Sequence, residues 1–183
     1  MKARRNATAP ALNSRRNLED IVHQRLSEKM MKKDVEALAE AVGNKGEILL
    51  KYSLHAETET ANRASWVYRS WAETHTILLP SLFNQMISVL NQTENGSVIR
   101  NLTGVWVDHG YPSKQDSKIL DLGFKVLKNT NYAIAVYANI LGILAFPCSR
   151  YPELKEEIRL IALRQPLAGE NGFRKRLTDL LNA

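Results

Sequence analysis

A single cysteine, Cys148, occurs in 183 residues. No disulfide can close within such a chain, so the expected setting is a reducing cytoplasm rather than an oxidising, secreted one. Cys148 lies in an apolar stretch and has no nucleophile signature around it, so it reads as a buried structural thiol. Long apolar runs are also missing. The longest, residues 132–148, is interrupted by Asn139 and Gly142 and falls short of the ~20 residues that span a bilayer. Residues 1–16 contain no apolar h-region, which argues against a secretory signal. That segment is Arg-rich and free of acids until Glu19. A transit-peptide reading therefore stays open, although Pro10 and the many small residues give it little amphipathic helix. Without a secretory route, the Asn-x-Ser/Thr sequons at Asn6, Asn91, Asn95 and Asn101 are expected to carry no glycan.

Catalytic groupings are equally scarce. His23, His55, His75 and His109 show no His-x-x-x-His or Glu-x-x-His spacing, which removes the usual support for a metal site. The glycines are isolated, so no phosphate-cradling loop exists; Gly104, Gly123 and Gly142 fall inside helical stretches, where they would let neighbouring helices approach. No catalytic residue, metal or cofactor is assigned, and the chain reads as a non-enzyme.

What is present is a period. Leu50, Ile87, Phe124 and Ile161 are each 37 residues apart, as are Arg63, Arg100 and Tyr137. Leu90 with Leu127 and Lys118 with Lys155 keep the same step. Each interval holds two segments of helical apolar spacing, so the unit is a helix pair that buries its apolar face only against its neighbours. The spacing predicts helices at about 17–28, 33–42 and 47–55. Three clearer pairs follow at 58–75 with 80–92, 97–109 with 114–128, and 132–146 with 152–165, and a last helix at 172–181 would cap the stack. Pro80, Pro112 and Pro152 stand near the start of each second helix, where a missing N–H costs nothing. The expected fold is all-α: a right-handed solenoid of stacked antiparallel helix pairs, forming one domain over residues 17–183.

Charge is unevenly placed. Of the formal net charge of +6, all is carried by the first 33 residues, with nine Lys/Arg against three acids. The remaining 150 carry sixteen of each. Residues 1–16 are therefore expected to form a basic, flexible arm, of a kind that solubilises a chain or meets an anionic surface.

Arg63-Ala64-Ser65-Trp66-Val67 followed by Leu79-Pro80-Ser81-Leu82, Ile99-Arg100-Asn101-Leu102, and the stretch from Leu144 through Tyr151-Pro152-Glu153-Leu154 resemble the helix-pair pattern of HEAT-like, armadillo-type repeats. The chain as a whole, over about residues 20–183, is similar to small, uncharacterised bacterial HEAT-like proteins. The resemblance implies an ARM-type superhelix and is nearly silent on function. The enzymes on a similar small scaffold are the alkylpurine DNA glycosylases, which set tryptophans and an aspartate on the concave face around a damaged nucleotide. Trp66, Trp71, Trp106 and Asp108 are the available parts here. Trp106 and Asp108 lie about 200° apart around a helix, and Gly104, not an aromatic, precedes Asp108 by one turn. The aromatic–carboxylate pair which that chemistry needs is absent at this position.

Two groups of residues remain as binding candidates. Trp66 has polar helical neighbours, Asn62, Arg63, Arg69 and Ser70, unlike Trp71 and Trp106, whose neighbours are apolar. An aromatic between Arg63 and Arg69 suits a base or a partner peptide; the alternative is that it packs on the adjacent repeat under the arginines. On the second helices, Lys118, Lys125, Lys155 and Arg159 recur at one-face spacing, as a basic band for phosphates or an acidic peptide, or simply as a solvated face.

The sequence thus points to a non-catalytic scaffold for a protein or peptide partner, with nucleic-acid binding, including glycosylase-like repair, as the alternative; the oligomeric state does not follow from it. Deleting residues 1–16 is expected to leave the stability measured by thermal unfolding within about 1 kcal/mol, because the segment has too few apolar residues to pack.

Overall fold

The computed structural model describes the backbone of residues 9–183 and the side chains of residues 17–183. Ten α-helices and two short 3-10 turns account for most of it, with no strand among the described residues. The helices are α1 (Ala9–Ser27), α2 (Lys32–Val42), α3 (Glu47–Tyr52), α4 (Thr58–Thr74), α5 (Leu79–Gln92), α6 (Gly96–His109), α7 (Asp116–Lys128), α8 (Ile134–Arg150), α9 (Leu154–Ala162) and α10 (Asn171–Asn182). They form two layers. Helices α2, α4, α6, α8 and α10 pack in succession, and α3, α5, α7 and α9 form the second row. Each second-row helix also packs on the first helix of the next pair, as α3 on α4 and α7 on α8, while α1 lies against α2 and α4. Among the described residues, no helix is long and apolar enough to cross a membrane.

The 37-residue register is visible as equivalence of position. Leu50, Ile87, Phe124 and Ile161 fall on α3, α5, α7 and α9, the first two buried and the others half-buried against the core. The largest sealed side chains include Trp71, Trp106, Tyr68 and Tyr137, so two of the three tryptophans are core, as their apolar neighbours imply. Trp71 stacks on His75 with ring centroids 4.6 Å apart and donates its indole N–H to the Gly43 carbonyl at 2.5 Å. Gly46 makes room for it, since a Cβ there would stand 2.6 Å from the indole. Gly123 likewise admits Leu144 at 2.6 Å. Gly104 differs from the expectation of a helix–helix contact, because what occupies its open space is the Arg69 guanidinium, 2.8 Å from where a Cβ would be.

Polar side chains tie each repeat to the one before it. Arg63 donates to the Leu26 carbonyl at 3.0 Å, Asn101 to Ser65 at 3.0 Å, and Asn139 to the Arg100 carbonyl at 2.8 Å. Asn95 caps α6 by accepting from the Ser97 and Val98 amides, and its own amide reaches Asn62 on α4 at 2.8 Å. These bonds satisfy donors and acceptors that burial would otherwise penalise.

Two boundaries depart from the sequence expectation. α1 begins at Ala9 rather than near residue 17, with Pro10 in its first turn, a position proline suits. The basic arm thus loses its second half to helix, and its first eight residues lie outside the described residues. α8 continues past Pro147 to Arg150. Proline falls in the final turn, where the helix is nearly complete, and the extension brings Arg150 to Asp116. Arg150 grips that carboxylate through Nε at 2.7 Å and Nη2 at 2.5 Å, and Tyr111 donates to it at 3.3 Å. Burial, then the neighbouring Asp116, push the Tyr111 phenol well above its ordinary range.

Asp116 is buried while Arg150 is partly exposed, so this pair is the main ionic fastening between α7 and α8. Asp116→Ala leaves a guanidinium and a half-buried phenol without their acceptor. The expected loss is about 2–3 kcal/mol of unfolding free energy, read by urea denaturation; a change below about 0.5 kcal/mol would show the pair to be structurally idle.

Candidate functional site

Trp66 is the tryptophan the core does not absorb. It sits mid-way along α4 with 40% of its surface exposed, against 0% for Trp71 and 1% for Trp106. Its helix explains this, because Ala64, Val67, Tyr68 and Trp71 define the buried face and residue 66 falls off it. Two depressions flank the indole. One, of about 440 Å³, is lined by Lys29, Met30, Glu59, Asn62, Arg63, Ser97, Arg100 and Asn101. The other, of about 360 Å³, is lined by Lys32, Val35, Glu36, Arg69, Ser70, Glu73 and again Arg100 and Asn101. Trp66 thus forms a ridge between two hollows that span the α1–α2 turn, α4 and α6.

The two arginines expected to cover Trp66 are engaged elsewhere. Arg63 reaches down to the Leu26 carbonyl and lies 3.6 Å from Glu59. Arg69 passes over Gly104 and pairs with Asp108 at 2.8 Å. Among the described residues, the one cation over a ring is Lys51 at Tyr52, so the exposed indole surface is left uncovered by either arginine. Arg63 and Arg69 each line one of the two hollows beside it.

Sequence reasoning missed Arg100, Lys29 and Lys32. Arg100 is exposed, lines both hollows and makes no ion pair among the described residues. Its signal was present: it keeps the 37-residue register with Arg63, but unlike Arg63 it finds no carbonyl to bind. Lys29 is likewise exposed and without an ion pair among the described residues, and Lys32 lies 3.7 Å from Glu36. Both belong to the basic first 33 residues, and nothing in the linear sequence sets them beside residue 66.

The second candidate group lies elsewhere. Lys118 and Lys125 stand on α7 and Lys155 and Arg159 on α9, in the row opposite α4, so the structure does not bring them together with Trp66. Lys118 donates to Asn84 at 2.8 Å and Lys125 to the Asn91 carbonyl at 2.9 Å, both across to α5. Arg159 holds Glu156 with two bonds of 2.8 and 2.7 Å, which lower the Glu156 carboxyl below its usual range. The glycosylase parts are also dispersed: Trp71 and Trp106 are sealed in the core and Asp108 is neutralised by Arg69. Cys148 is buried, and burial pushes its thiol to about 11, far from a reactive thiolate at neutral pH. No group of three or more His, Cys, Asp or Glu among the described residues is placed to hold a metal ion.

Because Trp71 and Trp106 are inaccessible, acrylamide quenching of intrinsic fluorescence should report essentially one accessible tryptophan. Trp66→Phe should remove that accessible fraction while changing stability by less than about 1 kcal/mol; retention of the quenchable emission would mean that another indole is open to solvent.

The model of the HEAT repeat domain matches residues 22–165, a span that begins within α1 and ends just beyond α9. No curated protein and no solved structure gives a significant match to the chain, and the distant glycosylase resemblance finds no support in these comparisons. The stacked helix pairs, their 37-residue register and the matched span together place the chain in the HEAT repeat family.

Proposed function

We propose that this protein is a non-catalytic interaction module of the cytoplasm, and that its partner protein docks on the Trp66 ridge and the hollows beside it. HEAT repeats generally serve as protein-interaction scaffolds, and the observation that carries the assignment here is the indole left 40% exposed between two hollows while the other two tryptophans are sealed. Tryptophan and arginine are the residue types that most often dominate binding energy at protein interfaces. The exposed Ser97 and the half-buried Asn62 beside it offer hydrogen bonds to an extended backbone. Within this reading Trp66 is the anchor and Arg63 and Arg69 shape the walls; Lys118, Lys125, Lys155 and Arg159 belong to the opposite row, where Lys118 and Lys125 bond across to α5 and Arg159 holds Glu156 on its own helix.

Nucleic acid is the competing occupant, and the two make different demands. A phosphate backbone would recruit the α7 and α9 cations as well, giving an affinity that falls with about one logarithmic unit of slope per phosphate contact. The repeats beyond residue 33 have no net charge to supply a long-range attraction.

The test is to probe the intact chain against an array of random linear peptides and against single-stranded DNA and RNA oligonucleotides. The expected result is a set of peptides whose capture is reduced at least about tenfold by Trp66→Ala, with oligonucleotide binding weak and unchanged by Lys118→Gln with Lys155→Gln. Steeply salt-dependent oligonucleotide binding that the paired lysine changes flatten would overturn the assignment.

A further inference from the structure

The charges around Trp66 are not evenly balanced on its two sides. In the hollow bounded by the α1–α2 turn, α4 and α6, three cations, Lys29, Arg63 and Arg100, face one acid, Glu59. Glu59 is already 3.6 Å from Arg63, so among the described residues Lys29 and Arg100 are left uncompensated. On the other side Arg100 also lines the wall, but Lys32 is matched by Glu36, Arg69 reaches out to Asp108, and Glu73 adds a further acid. The indole therefore divides a cationic hollow from a mixed one.

The source of the imbalance is specific. Lys29 comes from the strongly basic first 33 residues, and the turn between α1 and α2 carries it to the side of α4 and α6. Arg100 comes from α6, where the register that gives Arg63 a carbonyl on α1 offers Arg100 none; its own carbonyl accepts from Asn139, but its guanidinium is free among the described residues. A guanidinium of this kind offers paired N–H donors matched to a carboxylate, next to an aromatic face that suits an apolar or aromatic side chain.

Resting on the assignment of the Trp66 ridge as the contact surface, we infer that the segment it takes is acidic: a carboxylate of the partner meets Arg100, a second approaches Lys29, and an apolar side chain between them lies on Trp66. The hollow thereby selects Asp/Glu-rich peptide with an embedded apolar residue over basic or uncharged sequence. Charge complementarity of this kind sets specificity and encounter rate more than total affinity.

The probes are three fluorescein-labelled peptides of one length, followed by anisotropy with the full chain. The first alternates Asp and Glu around a single Leu, the second replaces every acid by Asn or Gln, and the third replaces every acid by Lys. A single-stranded oligonucleotide of equal charge to the first is the fourth probe. The expected result is that the acidic peptide binds about threefold to tenfold tighter than the amide peptide for each engaged carboxylate, with the basic peptide weakest. Arg100→Gln and Lys29→Gln should each erase part of that preference, Trp66→Ala should weaken acidic and amide peptides alike, and Lys118→Gln should change neither. Circular dichroism of each variant should match the parent, since all four positions are exposed. Trp66-dependent binding that is indifferent to acids overturns this inference and leaves the ridge assignment standing. Binding of the acidic peptide that ignores Trp66→Ala, Arg100→Gln and Lys29→Gln, or no binding of any peptide, overturns both. Tighter binding of the oligonucleotide, lost in Arg100→Gln, overturns the acidic-peptide inference in favour of phosphate.

Discussion

Each helix pair in this chain has an apolar face that it cannot cover by itself, and everything else in the structure follows from how the next pair covers it. Leu50, Ile87, Phe124 and Ile161 occupy equivalent places on α3, α5, α7 and α9 because the same burial problem is solved every 37 residues. Second-row helices pack on the first helix of the following pair, so no repeat is complete without its successor. Stability in such a stack is close to a sum of repeat and neighbour contributions. A defect at one interface therefore weakens the array locally before it unfolds it globally.

Close packing of this kind leaves small errands for polar groups. Asn95, Asn101, Asn139 and Arg63 each reach one repeat away, to a backbone carbonyl or a side-chain oxygen, and the Asp116–Arg150 pair does the same across α7 and α8. Glycine enters where a side chain of the neighbouring helix must lie against backbone: Trp71 at Gly46, Leu144 at Gly123, Arg69 at Gly104. The last of these links architecture to the candidate site. With Gly104 beneath it, Arg69 stretches to Asp108 instead of folding back over Trp66. The exposed indole is thus a consequence of where its charged neighbours find better partners.

The surface that results is modest in area but chemically biased. An open aromatic converges from α4 with a guanidinium from α6 and an ammonium from the α1–α2 turn, neither of which has an ion-pair partner among the described residues. Aromatic and arginine side chains grouped in this way are the types that most often carry recognition at interfaces.

The all-α class, the repeat length, the helix pairs from residue 58 onward and the burial of Trp71 and Trp106 were legible in the linear order of residues, because periodicity of apolar side chains is a local property that the chain repeats. The prolines marking second-helix starts belong to the same local chemistry. Helix ends were less legible: α1 starts at Ala9 and α8 passes Pro147, since tertiary contacts decide whether a marginal turn is kept. Arg63, Trp66 and Arg69 could be picked out by their polar helical neighbours, yet their roles could not, because a side chain's partner lies some 37 residues away and depends on reach and angle. Only the folded stack set Lys29 and Arg100 beside Trp66, placed Lys118, Lys125, Lys155 and Arg159 on the opposite row, and left one arginine of a repeating register without a carbonyl. Sequence fixes what each repeat must bury; which charges remain unpaid at its surface is decided by the neighbours that packing brings within hydrogen-bonding distance.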